Sequence, residues 1–501
     1  MSLLAALPVM LPFVTGVLML PLYRVPSVQK AVALGGKAIT LAVSAYLLYI
    51  VWSDGTLVHT VSGWPPPAGI ILVADLLSTT FVVITVGIFL SSLIFGLAYI
   101  DEESRRLSYL PLVFFLLAGI NGAYLTGDIF NFFVFLEVTL LATYGLVLIR
   151  DPDGIVTRRE KMEAVFKFLT LNLLGTSAML VAISIIYADV GTLNMAELSQ
   201  RIAVLRSTGV THVETAAYLL LAAFGLKAAL TPFHFWLPDL HPSAPIPIHA
   251  ILSGVVIKVG AYAVIRLNTL LFPNLPLLSS LTIVLSLATI LVGGFLALGQ
   301  SDIKRLLAYS SVSQMGFIIL ALGVGGSKGV AASVLFAVNH AIIKTMLFLT
   351  AGTVIHITKT AYLPKLGGLS KHSTFLTTTF FIGAMAITGI PPMNGFISKF
   401  IVFQLLLENS SLIVFLIAFA GALMTLFYSF RPFIKIFWGE TITTPTQPVV
   451  NSYRAPIAAL AALCVIFGVF AAPLIDLANA VGEQASNPTY YYEAVNRVKQ
   501  P

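Results

Sequence analysis

Apolar runs of about twenty residues recur along the whole chain, separated by short polar stretches, and each suffices to cross the roughly 30 Å hydrocarbon core of a bilayer. The pattern predicts fourteen spans, at 2–22, 28–51, 71–99, 108–126, 129–149, 162–188, 212–238, 246–270, 275–299, 303–323, 329–356, 373–407, 411–438 and 454–475. The expected fold class is therefore an all-α polytopic membrane protein. Two spans are interrupted. Pro232 breaks the seventh, and Pro391 with Pro392 breaks the twelfth; a proline ring removes a backbone donor and clashes with the preceding turn. Each broken span is the fourth of a five-helix set, helices 4–8 and 9–13. Broken segments at matching positions of two halves mark a transporter built from internal repeats. Five helices per unit leave the second copy inverted in the membrane. The chain then divides into an N-terminal three-helix region (1–107), a first repeat (108–272), a second repeat (273–438), and a linker, last span and tail (439–501).

The connections sharpen this picture. The stretch 53–69, with its WPPP, reads as an irregular loop, and 193–206 as a helix lying along the membrane surface. The Thr/Pro-rich linker 438–454 reads as unstructured, and the tail beyond Ala480 as loosely ordered. The apolar N-terminus has no basic flank and no small-residue cleavage site, so it is read as the first span.

Composition agrees: of 501 residues, 58% are hydrophobic and 10% charged, too apolar for a soluble protein. A net charge of +7 would suggest nucleic acid in a soluble chain; here loop topology explains it. Sixteen lysines and arginines, from Arg24 to Arg454, crowd into alternate loops against six on the other face (Arg201, Arg206, Arg266, Lys328, Arg497 and Lys499). The basic face is expected to be cytoplasmic in a cell membrane, with both termini outside.

Six lysines remain inside predicted spans: Lys37, Lys167, Lys227, Lys258, Lys344 and Lys399. One carboxylate, Glu137, lies clearly within the membrane, with Asp75 and Asp128 near span ends. Lys37 is read as snorkelling. The other five cost about 12–18 kcal/mol together on insertion scales, so stability does not explain them. One glutamate cannot pair with all five, so some must be neutral or solvated by buried water. His340 and Lys344 are four apart and share a helix face, an arrangement suited to passing a proton. Snorkelling competes as an account of Lys167, and His234, His241 and His249 beside the first break are equally readable as loop structure.

Other chemistries find no support. The lone cysteine, Cys464, cannot hold an iron–sulfur cluster. There is no CxxCH haem site, GVGGSKG at 323–329 is not GxGxxG, and no HExxH or acidic cluster offers a metal site. No cofactor is expected, and catalysis by the chain alone is not expected.

Several ordered motifs carry a family resemblance: GLKAALTPFHFWLPDLHPSAP, SGVVIKVGAYAVIR, SDIKRLLAYSSVSQMGFI, NHAIIKTMLFLTAG and GIPPMNGFISKF. Over roughly residues 70–440 they resemble the proton-translocating membrane subunits of respiratory complex I and of Mrp-type cation/proton antiporters. The lysine in VIKVGAYAVIR looks more like the Mrp D-type member than the complex I relatives, which often carry histidine there. The resemblance implies a midplane proton relay through Glu137, Lys227, Lys258, Lys344 and Lys399. It further implies that His340 is a relay histidine and Lys167 a support near the Glu137–Lys227 pair. It also implies partner membrane subunits, protons and conceivably sodium as the transported ions, and no nucleic acid. The same subunit inside a membrane-bound hydrogenase or complex I relative is the main alternative. An organic-solute carrier and a redox subunit binding quinone or haem itself are weaker ones.

Overall fold

The computed structural model describes residues 2–207, 209 and 212–498; Lys499, counted above with the less basic face, lies outside them. Eleven helices among the described residues are long and apolar enough to cross a bilayer. The remaining expected spans are built from shorter pieces. The first is Leu7–Met19. The seventh is His212–Lys227 followed by Phe233–Phe235 and Trp236–Ser243. The twelfth is Thr374–Thr388 and Asn394–Asn409. The chain is a multi-pass helical membrane protein.

Two helices form its centre. Gly326–Thr358 has 33 residues and is buried along its apolar length. It packs against Leu76–Tyr99, Ile303–Val324, Thr374–Thr388, Asn394–Asn409 and Asn451–Val469. The segment Ile246–Leu271 is equally buried and contains two π-helical turns, Leu252–Val256 and Leu267–Leu271. Polar residues on these central helices therefore face protein, not lipid, and they include Lys258, His340 and Lys344.

Several expectations need correction. The loop 53–69 is not wholly irregular: Leu57–Thr60 pairs antiparallel with Ile71–Ala74, in the register Leu57 opposite Ala74, and WPPP forms the connection between them. The surface helix is present, at Met195–Ser207. The tail beyond Ala480 is ordered as Ala472–Ala485 and Pro488–Arg497. Ala472–Ala485 packs against Gly326–Thr358 with Ala478 and Val481 buried, and Gln484 accepts the Leu76 N–H at 2.8 Å. The linker after Phe437 has no helix until Asn451, yet it is tied down, since the Thr446 N–H donates to the Ile357 carbonyl at 2.8 Å. Arg266 is no surface cation. It is buried and donates to Asp75 at 2.6 Å, while Asp75 caps the helix Leu76–Tyr99 through the Ser78 N–H.

Lys37 does not snorkel. It lies eleven residues beyond the start of Pro26–Asp54, about 16 Å at 1.5 Å per residue and so close to mid-membrane. It is completely buried, and its ammonium has no hydrogen-bond partner. Instead Nζ stands over the rings of Phe89 and Phe114, 4.6 and 4.4 Å from their centroids.

Candidate functional site

The first helix break ends on Lys227 itself. Beyond it Ala229 adopts φ +54°, a left-handed conformation that costs an L-residue roughly 1–2 kcal/mol. The carbonyl of Leu226 at the break is satisfied by Trp236 Nε1 at 2.9 Å. The helix bearing Lys258 passes so close that a Cβ on Gly260 would lie 2.3 Å from the Ala228 nitrogen. Only glycine permits that approach, which brings Lys258 to the break.

Lys227 donates to Asn172 Oδ1 at 2.9 Å, and Asn172 is oriented by its own bond to the Phe168 carbonyl at 2.8 Å. Glu137 does not touch Lys227: no ion pair within 4.0 Å joins it to a cation among the described residues. One carboxylate oxygen, Oε1, is buried without a partner, and the negative charge is nonetheless felt at Lys227. Beside Lys227 lies a cavity of about 20 Å³ lined by Thr139, Asn172 and Trp236, enough for one water molecule. Glu137 and Lys227 are thus near each other but not bonded.

Lys167 is elsewhere. It pairs with Glu163 at 2.9 Å and Asp239 at 3.3 Å, and Asp239 also receives Arg305 at 2.7 Å. These groups line a polar cavity of about 370 Å³ on the basic face. The helix carrying Lys167 has 33 residues, about 50 Å long and longer than the bilayer core, so its first turns stand outside the apolar slab. Asn172, a turn and a half further in, is the residue of this helix that meets Lys227.

Lys258 reaches back across the first π-helical turn to the Ser253 carbonyl at 2.5 Å. The Ser253 hydroxyl meets that of Ser311 at 2.8 Å. Ser311 and Lys344 both donate to the Leu307 carbonyl, at 3.0 Å each, and Lys344 also bonds the Ser310 hydroxyl. Three serines thus stand between the two lysines. Sequence reasoning passed over them because serine in a membrane helix ordinarily bonds its own backbone. His241 lies within electrostatic reach of Lys258 and Lys344, stacked on Phe348 at 5.0 Å, with both ring nitrogens unpartnered. Its burial beside both lysines favours function over loop structure.

His340 and Lys344 share a face but are not bonded to each other. Both nitrogens of His340 lack protein partners, and the ring lines a cavity of about 10 Å³ with Gln314, Asn339, Ser398 and Lys399. Lys399 comes from the far half of the second break and donates at 2.9 Å to the Thr388 carbonyl, the last of the near half. The halves meet closely, since a Cβ on Gly395 would fall 1.7 Å from the Ala386 carbonyl oxygen. Asn339 and Asn394 brace the turn through a side-chain bond of 3.0 Å.

Five lysines, a histidine and one glutamate are thus placed, with five of the seven on the central helices or at the breaks. The family described as NADH:quinone oxidoreductase/Mrp antiporter, transmembrane region, matches residues 126–425, which contain all of them. The chain belongs to that family. Among relatives of this family, the D-type subunit of the Na(+)/H(+) antiporter from Alkalihalophilus pseudofirmus is 36% identical over 99% of both chains. Its counterpart of the same name from Bacillus subtilis is 31% identical over 98% of both. A chain of the Mrp complex from a Dietzia species superposes with a TM-score of 0.92 at 28% identity, covering 99% of both chains. A chain of an archaeal membrane-bound sulfane sulfur reductase, a respiratory complex, gives 0.90 at 28% identity over 98% of this chain and 99% of that one.

Proposed function

We propose that this chain is the D-type subunit of an Mrp-type Na+/H+ antiporter and relays protons along its central helices. The observation that carries this reading is the row itself: Lys227 against a neutral amide with Glu137 near but unpaired, then Lys258, Lys344 and Lys399 bonded to hydroxyls and carbonyls. Closing the Glu137–Lys227 pair holds a proton on Lys227; opening it loosens that proton, which passes towards Lys258. The serines carry the row across to Lys344, and His340 and Lys399 continue it. Lys167, with Asp239 and Arg305, belongs to the mouth of the basic-face cavity. The two five-helix units, 108–272 and 273–438, are inverted repeats, and the basic face is cytoplasmic.

Everted vesicles from cells producing the chain with its partner subunits should lose a preformed proton gradient when sodium is added. An assembled complex that is silent to sodium but oxidises a reduced electron carrier would instead support the second reading, a respiratory host like the sulfane sulfur reductase. Orientation is tested at Arg159, which is exposed and caps nothing. Arg159→Cys should react with an impermeant thiol reagent only from the inside.

A further inference from the structure

The basic face holds a cluster that the relay does not use. Asp153 lies in the connection between Ile129–Val147, which bears Glu137, and Arg158–Val190, which bears Asn172. Its Oδ1 receives His356 Nδ1 at 2.7 Å and Lys359 Nζ at 2.8 Å, and its Oδ2 receives the Tyr99 hydroxyl at 2.7 Å. His356 and Lys359 sit at the end of Gly326–Thr358, the helix that carries His340 and Lys344. One carboxylate therefore bolts the loop that follows the Glu137 helix to the central helix Gly326–Thr358.

We propose that Asp153 and His356 form a clamp that positions the Glu137 helix against the central helix, and that the charge on His356 sets its grip. The proposal rests on the relay reading for what the clamp controls. Closing the Glu137–Lys227 pair brings Ile129–Val147 towards His212–Lys227, which packs against Arg158–Val190, and the clamp restrains the loop that joins Ile129–Val147 to Arg158–Val190. The neutral imidazole already donates to an ionised carboxylate, and protonation adds an ion pair to that bond. Histidine changes charge between about pH 5 and 8. The clamp therefore tightens as the basic face becomes acidic and slackens as it becomes alkaline.

Other charged and titratable groups surround His356. Lys359 is a second cation on Asp153, while Tyr99 and Tyr453 meet the imidazole edge-on, with centroids at 5.4 and 5.6 Å. Asp151 lies behind, accepting the Tyr99 hydroxyl at 3.0 Å, with Lys161, which burial draws down to about 8, within electrostatic reach of it. Burial pushes the Asp153 carboxyl up, but the hydrogen bonds from His356, Lys359 and Tyr99 outweigh it and hold it at about 2. Unfolded, that carboxyl titrates near about 3.9. Its contribution is thus complete above about pH 4 and disappears only as pH falls towards about 2. Across the working range Asp153 keeps its charge.

The test is sodium-driven proton exchange by the assembled complex in everted vesicles, read as a profile from about pH 6 to 8, the range in which histidine titrates. Wild type should rise with pH. His356→Gln should lift the acidic end about threefold and flatten the profile, and His356→Arg should hold the whole profile near the acidic level, given the strength of a charged bond. Asp153→Asn should flatten it as His356→Gln does; if that variant fails to assemble, the two His356 variants decide. Profiles that keep the wild-type shape, merely scaled, overturn the clamp. Glu137→Gln is run alongside: exchange surviving there removes the relay reading, whatever the His356 profiles show.

Discussion

At the first break the lysine is the last residue of its own half-helix, and a carboxylate stands nearby without touching it. At the second break Lys399 comes from the opposite half and caps the near half's final carbonyl, and no carboxylate is bonded to it. Both lysines sit at the negative end of a half-helix, where a cation is favoured even without a counter-ion. The difference lies in what can change. The first lysine has a neighbour whose approach or retreat alters its charge balance, while the second has fixed dipoles and a small polar cavity. On the proposed relay, the first break is the one that switches and the second the one that passes a proton on.

The sharpest way to break this comparison is to remove the switch. Glu137→Gln and Lys227→Ala should each abolish most proton uptake into vesicles, at least about tenfold, while the complex still assembles on native gels. Because both act on one step, the double variant should cost little more than either alone. Fully additive losses would mean that the two residues do not work as a pair.

A smaller effect tests the connection between the halves. Ser253→Ala removes a hydroxyl that meets Ser311 but leaves the carbonyl that holds Lys258. Uptake should fall by about threefold to tenfold, less than from losing Lys258 itself, because water can replace a hydroxyl where space allows. Ser311→Ala should behave alike, and the pair should be non-additive. Unchanged uptake in the double variant would remove the serines from the route.

Much of this was legible in the sequence and some was not, for physical reasons. Hydrophobic runs and prolines located the spans and both breaks, since bilayer thickness and the missing proline donor act locally. The seven site residues stood out because charge inside an apolar run has few explanations. What could not be read was direction. Lys167 and Asn172 lie five residues apart on one helix, and only packing shows that the asparagine meets Lys227 while the lysine turns to Asp239. The serine connection was hidden because it depends on a π-helical turn that hydrophobic periodicity does not report. The ordered tail was misread because its order comes from long-range packing: Ala472–Ala485 lies against the central helix Gly326–Thr358 with Ala478 and Val481 buried, which local composition does not report.

Lys37 gives the smallest predicted effect and the cleanest contrast. It is as buried as Lys344, yet among the described residues no hydrogen bond joins its ammonium to anything, and only two phenylalanine rings face it. Cation–π contact returns about 0.5–2 kcal/mol, against roughly 2.5–3.5 kcal/mol for placing a lysine at mid-helix. Replacing it with an apolar chain of similar length should therefore stabilise the protein. Lys37→Met should raise the unfolding temperature of the purified complex by a few degrees and change proton uptake less than about twofold, since nothing bonds it to the relay. Lys37→Ala should instead destabilise, because it leaves a cavity between Phe89 and Phe114. If Lys37→Met abolishes uptake as deeply as loss of Lys258, a buried lysine without a hydrogen-bonded partner still takes part in transport. The distinction between relay lysines and this one would then fall.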